Sequence, residues 1–89
     1  MVIKDVVVRH PHGLYAHQLC LFVQMAINFE CSVYVTRGNH RVNAKSLLAV
    51  LTLAVVQNTK ITIITDGLDE EEAARSLVQL IEDNFDEKK

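Results

Sequence analysis

Short segments with the apolar pattern of β-strands alternate with segments of helical period along this 89-residue chain, with few residues between them. The β-branched run at 2–8 predicts a first strand, and alternating apolar and polar residues at 32–37 and 60–65 predict two more. Gly38-Asn39 favours a tight hairpin from the second strand to a short strand at 40–43. Since the chain has only three glycines and one proline, each element must follow closely on the one before.

Three further segments have the spacing of amphipathic helices. The first spans about 16–28, and its apolar residues are Leu19, Phe22, Val23, Ala26 and Ile27. The second, at 46–53, is short and can be capped by the hydroxyl of Ser46. The third begins at Asp69, which approximates a capping box with Glu72. Its apolar stripe consists of Ala74, Leu77, Val78, Ile81 and Phe85.

The predicted order of elements is therefore β-α-β-β-α-β-α. Strands with one apolar side and amphipathic helices pack as two layers, in which helices cover one face of an antiparallel sheet and the other face meets water. The expected fold class is α+β, an open-faced β-sandwich of a four-stranded antiparallel sheet with three helices on one face. A chain of 89 residues suffices for a single domain, 1–89, with one core.

Charge and cysteine content narrow the classes of function. A formal net charge of -2 argues against nucleic-acid binding, which requires clustered basic residues. No apolar run is long enough to span a bilayer and the first residues lack a signal-peptide pattern, so a cytoplasmic protein without membrane association is expected. Cys20 and Cys31 are predicted to lie about 15 Å apart and to be free thiols. A reactive Cys20, one turn into the first helix, is the alternative.

Several motifs agree with one known family. They are Gly13-Leu14 and Ala16 in the first loop, Phe22-Val23-Gln24 in the first helix, Val42-Asn43-Ala44-Lys45-Ser46-Leu47-Leu48 before and into the middle helix, and Asp66-Gly67 after the last strand. With the order of elements, these motifs resemble the histidine-containing phosphocarrier protein family, HPr, over essentially the whole chain. The resemblance implies the sugar phosphotransferase system, in which a histidine of HPr accepts a phosphoryl group from the first enzyme and passes it to sugar-specific transporter subunits.

The first motif departs from the family pattern Gly-Ile/Leu-His-Ala-Arg-Pro-Ala at four positions. By the resemblance, Tyr15 stands at the position of the phosphoacceptor histidine, His17 at that of arginine, Gln18 at that of proline and Leu19 at that of alanine. A phenol is protonated at neutral pH, and its phosphate ester is too stable to pass the group on. We therefore expect an HPr scaffold without phosphoryl relay through residue 15. A surface-packing role for Tyr15 is the alternative.

An anion cradle is expected at the start of the first helix, formed by Ala16, His17 and Gln18. Unpaired N–H groups and the helix dipole favour a phosphate just before a helix. His17 is a weaker cation than the family's arginine, whereas Gln18 restores an N–H that proline lacks and is predicted to add a donor. Phosphorylation of a displaced histidine, His12 or His17, stays open because both lie near this helix end.

The sequence gives less indication of a functional role for the other histidines. The pair His10-x-His12 has two imidazoles at short spacing, but no carboxylate or cysteine accompanies it at ligand spacing. It is interpreted as part of a solvated loop, and neither a metal site nor a cofactor is expected. His40, beside the hairpin turn, is expected to be solvated.

Ser46 matches the family pattern and has two interpretations. Its hydroxyl can cap the middle helix, which alone accounts for a serine at that position. The resemblance implies a second role, because in Gram-positive bacteria this serine is phosphorylated by an ATP-dependent serine kinase. The phosphoserine form then binds a catabolite-control transcription factor.

Leu47, Leu48 and Leu51 occupy positions at which the family presents an apolar docking surface to its partners. Val50 and either Leu53 or Ala54 are expected to face the sheet instead. Because the helix is too short for its period to decide which leucines are buried, a second core face is the alternative for the other three.

Three functions remain as hypotheses. The first is a regulatory HPr-like protein, not an enzyme, which docks to phosphotransferase-system proteins and is switched at Ser46. It is similar to the catabolite-repression HPr-like subgroup, in which the active histidine is also replaced while the serine survives. The second is a working phosphocarrier in sugar uptake that uses His12 or His17. The third is an interaction scaffold without any phosphorylation.

Overall fold

The predicted order of strands and helices is confirmed in the computed structural model, which describes residues 1–86. The elements are β1 (Val2–Val8), α1 (His17–Ile27), β2 (Ser32–Arg37), β3 (His40–Asn43), α2 (Leu47–Leu51), β4 (Thr59–Asp66), α3 (Glu70–Glu82) and a 3-10 turn (Asn84–Asp86). β4 extends one residue beyond its predicted pattern at each end, and α2 ends before Leu53. Within the described range, no helix combines the length and the apolar character that crossing a bilayer requires.

The sheet is antiparallel, with strand order β1-β4-β2-β3. On β4, Ile61 pairs with Val6 of β1, and Ile63 pairs with Val35 of β2. All four side chains are buried, because the period of two brings them to the same side of the sheet. The predicted fold class is confirmed: an open four-stranded antiparallel sheet with three helices.

One apolar cluster joins the sheet to the helices. Its largest fully buried side chains include Phe22, Ile61, Ile63, Leu77, Ile81, Val33, Val35 and Val50. Ile27 is 54% exposed, so its assignment to the buried stripe of α1 is wrong. It is the last residue of α1, and the buried residues of this helix end at Ala26. Both cysteines are free thiols, as predicted; Cys20 is exposed and Cys31 is buried.

Asp69 ties the start of α3 to the loop between α1 and β2. Its Oδ2 accepts the N–H of Glu30 and its Oδ1 accepts the N–H of Cys31, each at 2.9 Å. The predicted capping box with Glu72 is wrong, because Asp69 makes no side-chain cap bond to α3 and both of its oxygens face this loop. The N–H of Glu30, aided by Cys31, stabilises the charged carboxylate and lowers the pKa of Asp69.

Asp69→Asn is expected to lower the urea midpoint at neutral pH, because the NH2 group of asparagine replaces one accepting oxygen and turns a donor toward one of the two N–H groups. Since the folded-state pKa of Asp69 is lowered, its stabilisation is present above the unfolded-state pKa and is lost as pH falls through the folded-state value. The difference in urea midpoint between the two proteins should therefore narrow on acidification. Glu72→Gln is the matched control and should change the midpoint much less. Equal losses in both variants would contradict the role of Asp69.

Candidate functional site

The loop between β1 and α1 is held against the segment that follows α2. Gly13 donates its N–H to the carbonyl of His10 at 2.9 Å, and Leu14 donates to the carbonyl of Val55 at 3.0 Å. Leu14 and Val55 are both buried. Gly13 has a φ of +63°, and a Cβ at this position would overlap the carbonyl oxygen of Val55. Only glycine therefore fits this close approach without displacing the loop.

Tyr15 lies at the outer end of this loop, and 63% of its surface is exposed. Its carbonyl accepts the N–H of Gln18 at 3.2 Å, and the carbonyl of Ala16 accepts the N–H of Cys20 at 3.1 Å, which begins α1. Ala16 has a φ of +53°, a region that a residue with a Cβ rarely adopts. The strained backbone at Ala16 thus separates the phenol from the first residue of the helix.

Gln18 differs in burial from the other two residues of the predicted cradle. Gln18 is buried, and its side-chain nitrogen lies 3.4 Å from Nε2 of His10. Its backbone N–H, which the sequence predicts to add a donor for an anion, bonds the carbonyl of Tyr15 at 3.2 Å. Ala16 and His17, the other two residues of the predicted cradle, are exposed.

His10 is a structural residue rather than part of a solvated loop, so that interpretation is corrected. Only 4% of its surface is exposed, and its Nδ1 accepts the N–H of His12 at 3.0 Å. The ring also packs edge-on against Phe85, with ring centroids 6.0 Å apart. One imidazole therefore contacts the site loop, the first turn of α1 and the segment after α3.

His12 and His17, the two alternative phosphoacceptors, are both exposed. The His12 ring lies 5.4 Å from the His10 ring, between centroids, while His17 is the first residue of α1. His40 is exposed in β3, as predicted. Among residues 1–86, no three His, Cys, Asp or Glu side chains come together in a geometry that could hold a metal ion.

Ser46 caps α2, as one of its two interpretations predicts. Its Oγ accepts the N–H of Ala49 at 3.4 Å, and the side chain is partly buried. The ammonium group of the neighbouring Lys45 donates to the carbonyl of Phe29 at 2.6 Å, so it is already engaged in holding the end of α1.

Three leucines of α2 form an exposed surface, here called the leucine patch: Leu47 (43% exposed), Leu48 (74%) and Leu51 (42%). Val50 and Leu53 are buried, as predicted. The alternative of a second core face for the three leucines is therefore wrong, because only the opposite side of this short helix meets the core.

Val56 is a residue beside the site that the sequence does not predict. It is 58% exposed, and its Cα would lie 2.7 Å from a Cβ on Gly13. No repeating apolar pattern marks the segment after α2, so its contact with the loop emerges only when the strands are paired. The leucine patch and the loop of Tyr15 are thus connected through residues 55 and 56.

Comparisons with known proteins agree over most of the chain. The family profile described as PTS HPr component phosphorylation site matches residues 2–83. The HPr-like protein Crh of Halalkalibacterium halodurans is 40% identical over 82 residues, which covers 92% of this chain and 98% of that protein. Phosphocarrier protein HPr of Neisseria meningitidis serogroup A is 38% identical over 87 residues, or 98% of each chain. The crystal structure of HPr-C-His from Thermoanaerobacter tengcongensis superimposes with a TM-score of 0.97 at 37% identity and full coverage of both chains.

Gly13→Ala is expected to destabilise the protein more than Gly38→Ala does. Both glycines have positive φ, so alanine costs about 1–2 kcal/mol of backbone strain at either position. At Gly38 nothing lies within 4 Å of the new Cβ, whereas at Gly13 it overlaps Val55 and adds roughly 1 kcal/mol or more. Urea unfolding of the two variants measures the difference. Equal losses would show that the loop does not depend on this close approach.

Proposed function

The chain belongs to the HPr family of the bacterial phosphotransferase system, and from this premise we propose that it is a regulatory member. In this proposal it docks to partner proteins, is switched by phosphorylation of Ser46 and does not relay a phosphoryl group through residue 15. Its partners are phosphotransferase-system proteins, a serine kinase and a catabolite-control transcription factor.

The observation that carries the proposal is the exposed phenol of Tyr15 within the motif Gly13-Leu14-Tyr15-Ala16. By the family pattern, residue 15 is the phosphoacceptor position. A phosphohistidine bond is labile enough to pass its phosphoryl group on, whereas the phosphate ester of a tyrosine is not. A phenol that is accessible to partners but unsuited to relay supports docking without transfer.

The surroundings of residue 15 support the same conclusion. Where the family pattern has an arginine, the exposed His17 offers fewer donors and no permanent charge. Gln18 turns its side chain toward His10, in the interior. The side chains of His17 and Gln18 would therefore hold a phosphate beside residue 15 less strongly than the family pattern does.

Ser46 and the leucine patch supply the regulatory part of the proposal. Ser46 is partly buried as the cap of α2, and the leucine patch begins at the next residue. Transfer of the γ-phosphoryl group of ATP to Ser46 Oγ releases ADP and the hydroxyl proton, and it adds about two negative charges beside an apolar surface. Such a change alters which partner that surface accepts. The relationship to Crh, an HPr-like protein, favours this regulatory use.

A working phosphocarrier is the second candidate. The observation in its favour is that His12 and His17 are exposed, and that both lie within three residues of Tyr15. Either ring would accept the phosphoryl group on a nitrogen in place of residue 15. An interaction scaffold without phosphorylation is the third.

Intact-mass measurements separate the three candidates. The chain is incubated either with ATP and the serine kinase or with phosphoenolpyruvate and the first enzyme of the system, and its mass is measured before and after mild acid. We expect a gain of one acid-stable phosphoryl group with the kinase, absent in Ser46→Ala, and no acid-labile gain with phosphoenolpyruvate. A conventional HPr serves as the positive control for the second reaction. Circular dichroism checks that Ser46→Ala is folded, since loss of the cap costs only about 1 kcal/mol.

Two outcomes would contradict the regulatory proposal. An acid-labile gain that disappears in His12→Ala or His17→Ala would establish the phosphocarrier instead. No gain under either condition would favour the scaffold.

The leucine patch is tested by a matched pair of exposed leucines. Leu48→Ser is expected to lower kcat/KM for phosphorylation of Ser46 by the kinase about tenfold, because docking buries this side chain. Leu68→Ser removes a fully exposed leucine outside the patch and should leave kcat/KM unchanged. Equal effects of the two substitutions would show that the kinase does not dock on the patch.

A further inference from the structure

β1 is an edge strand, and its outer edge is unpaired in the part of the chain that the structure describes. The strand order β1-β4-β2-β3 gives β1 a neighbour on one side only. Every second residue of such a strand directs its N–H and carbonyl groups away from the sheet. Val2 is partly buried and the next three residues are exposed, so the backbone is accessible at this end of β1. An accessible, unpaired edge is a place where a further strand can add to a sheet.

A groove follows this edge between β1 and α3. Its first part is a cavity of about 490 Å³ beside the start of β1, with Val2, Ala74 and Val78 in its lining. Its second part, of about 440 Å³, is lined by three consecutive residues of β1, 5–7, and by the end of α3. Since consecutive side chains of a strand point to opposite faces, a cavity that contacts all three lies at the edge itself.

The basic side chains divide into two groups. Of the seven Lys and Arg within residues 1–86, three contact the protein itself: Arg37 and Lys45 donate to backbone carbonyls, and Arg41 stacks on the ring of Tyr34. The other four make no ion pair or side-chain hydrogen bond within that range. All four line the groove, Lys4 and Arg75 in the first cavity and Arg9 and Lys60 in the second.

The first cavity is the part of the groove that favours negative charge. Glu71 is the one carboxylate in its lining, so two cations and one carboxylate give it a net charge of +1. The neighbouring Glu70 is already bonded to the ammonium group of Met1 at 2.9 Å. In the second cavity two carboxylates balance the two cations; they are Asp5 and Glu82.

We propose that the edge of β1 at Val2–Asp5 is a docking site for an extended acidic segment of a partner protein, which adds to the sheet as a fifth strand. The backbone of the segment bonds the unpaired groups of β1, and a carboxylate on the side of α3 reaches Lys4 and Arg75. An apolar side chain two residues away lies on the same side and packs over Val2 and Val78. The pattern that fits is therefore an acidic and an apolar residue separated by one residue.

Two other occupants lack features that the edge requires. If β1 of a second copy continued the same sheet, its side chains toward α3 would be Val2, Lys4, Val6 and Val8, and none of them is a carboxylate for Lys4. A nucleic acid has no N–H and carbonyl groups with the spacing of a strand, and its continuous negative charge would lie against Glu71.

The docking edge is remote from the site of Tyr15. β1 has seven residues, so its start lies about 20 Å from its end, where the site loop begins. The leucine patch belongs to α2, which contacts β3, the strand at the opposite edge of the sheet. Binding at β1 therefore leaves both surfaces accessible and does not depend on the proposed regulatory function.

NMR titration of the full chain with a synthetic peptide tests the proposal. The probe is Thr-Glu-Thr-Val repeated twice, which gives about the length of a strand and places Glu and Val on one side. Amide shifts are expected in Val2–Asp5 and around Arg75 of α3. The dissociation constant should be hundreds of micromolar, in order of magnitude, because a short peptide loses conformational freedom when it binds.

Control peptides separate strand addition from attraction between charges. A peptide with Lys in place of Glu should bind at least about tenfold more weakly, because it brings like charges to Lys4 and Arg75. Two further acidic peptides are N-methylated at their odd or at their even residues. One of them should lose binding and the other should retain it, because only every second N–H of an added strand faces β1.

A matched pair of variants locates the charge contact. Lys4→Gln should raise the dissociation constant of the acidic peptide about fivefold, because it removes one partner of a cross-strand charge pair. Arg41→Gln makes the same change of charge on the opposite edge strand and should leave the constant unchanged.

Three results would overturn the proposal. Equal binding of the Glu and Lys peptides would exclude recognition of acidic residues, and equal binding of both methylated peptides would exclude strand addition and indicate an anion site of general kind. Absence of shifts in β1 at about 2 mM peptide would show that Lys4 serves only to protect the edge from association.

Discussion

The pairing of β4 with β1 is the interaction on which the arrangement of the site depends. The two strands run antiparallel with Val8 opposite Thr59, so the end of β1 lies beside the start of β4. The carbonyl of Val8 accepts the N–H of Asn58 at 2.6 Å, which continues this contact beyond the strands. The loop that leaves β1 must therefore meet the connection that enters β4, and this is why Leu14 bonds Val55.

This anchoring does not involve the side chain of residue 15. The bonds from Gly13 to His10 and from Leu14 to Val55 are between backbone groups, and the close contact at Val55 depends on Gly13 having no Cβ. The buried ring of His10 adds a contact within the loop, because its Nδ1 accepts the N–H of His12. A phenol, an imidazole or another side chain at residue 15 would therefore occupy the same exposed position. Because the loop conformation does not depend on the side chain of residue 15, the HPr fold can be retained in a protein for which we propose no phosphoryl transfer at that position.

Asp69 and Glu70 on the one hand, and most of the exposed apolar residues on the other, lie in different parts of this molecule. Asp69 and Glu70 accept backbone N–H groups near the start of α3, where negative charge is also favoured by the helix dipole. α1 and α2 have no charged residues, and α2 exposes three leucines instead. Tyr15, which precedes α1, and Val56, which follows α2, are exposed as well. Carboxylates thus stabilise the loops beside the start of α3. The exposed apolar side chains on and beside α2 remain available for association.

The order of the elements, the α+β class and the sheet residues that face the core all follow from the amino-acid sequence. Ile61, Ile63, Val33 and Val35 are buried as their alternation predicts, because side-chain direction along a strand has a period of two wherever the strand lies. Family motifs likewise locate the candidate site and the cap at Ser46, since a cap involves residues only three positions apart.

Tertiary structure alone decided the burial of His10, the inward turn of Gln18, the exposure of the leucine patch and the partners of Asp69. Asp69 bonds residues that are 38 and 39 positions away, so no local pattern distinguishes it from a helix cap. A five-residue helix such as α2 is too short for its period to reveal a buried side. Local periodicity records how a segment divides between core and solvent, whereas the pairing of strands determines which loops meet, and the site is built where they do.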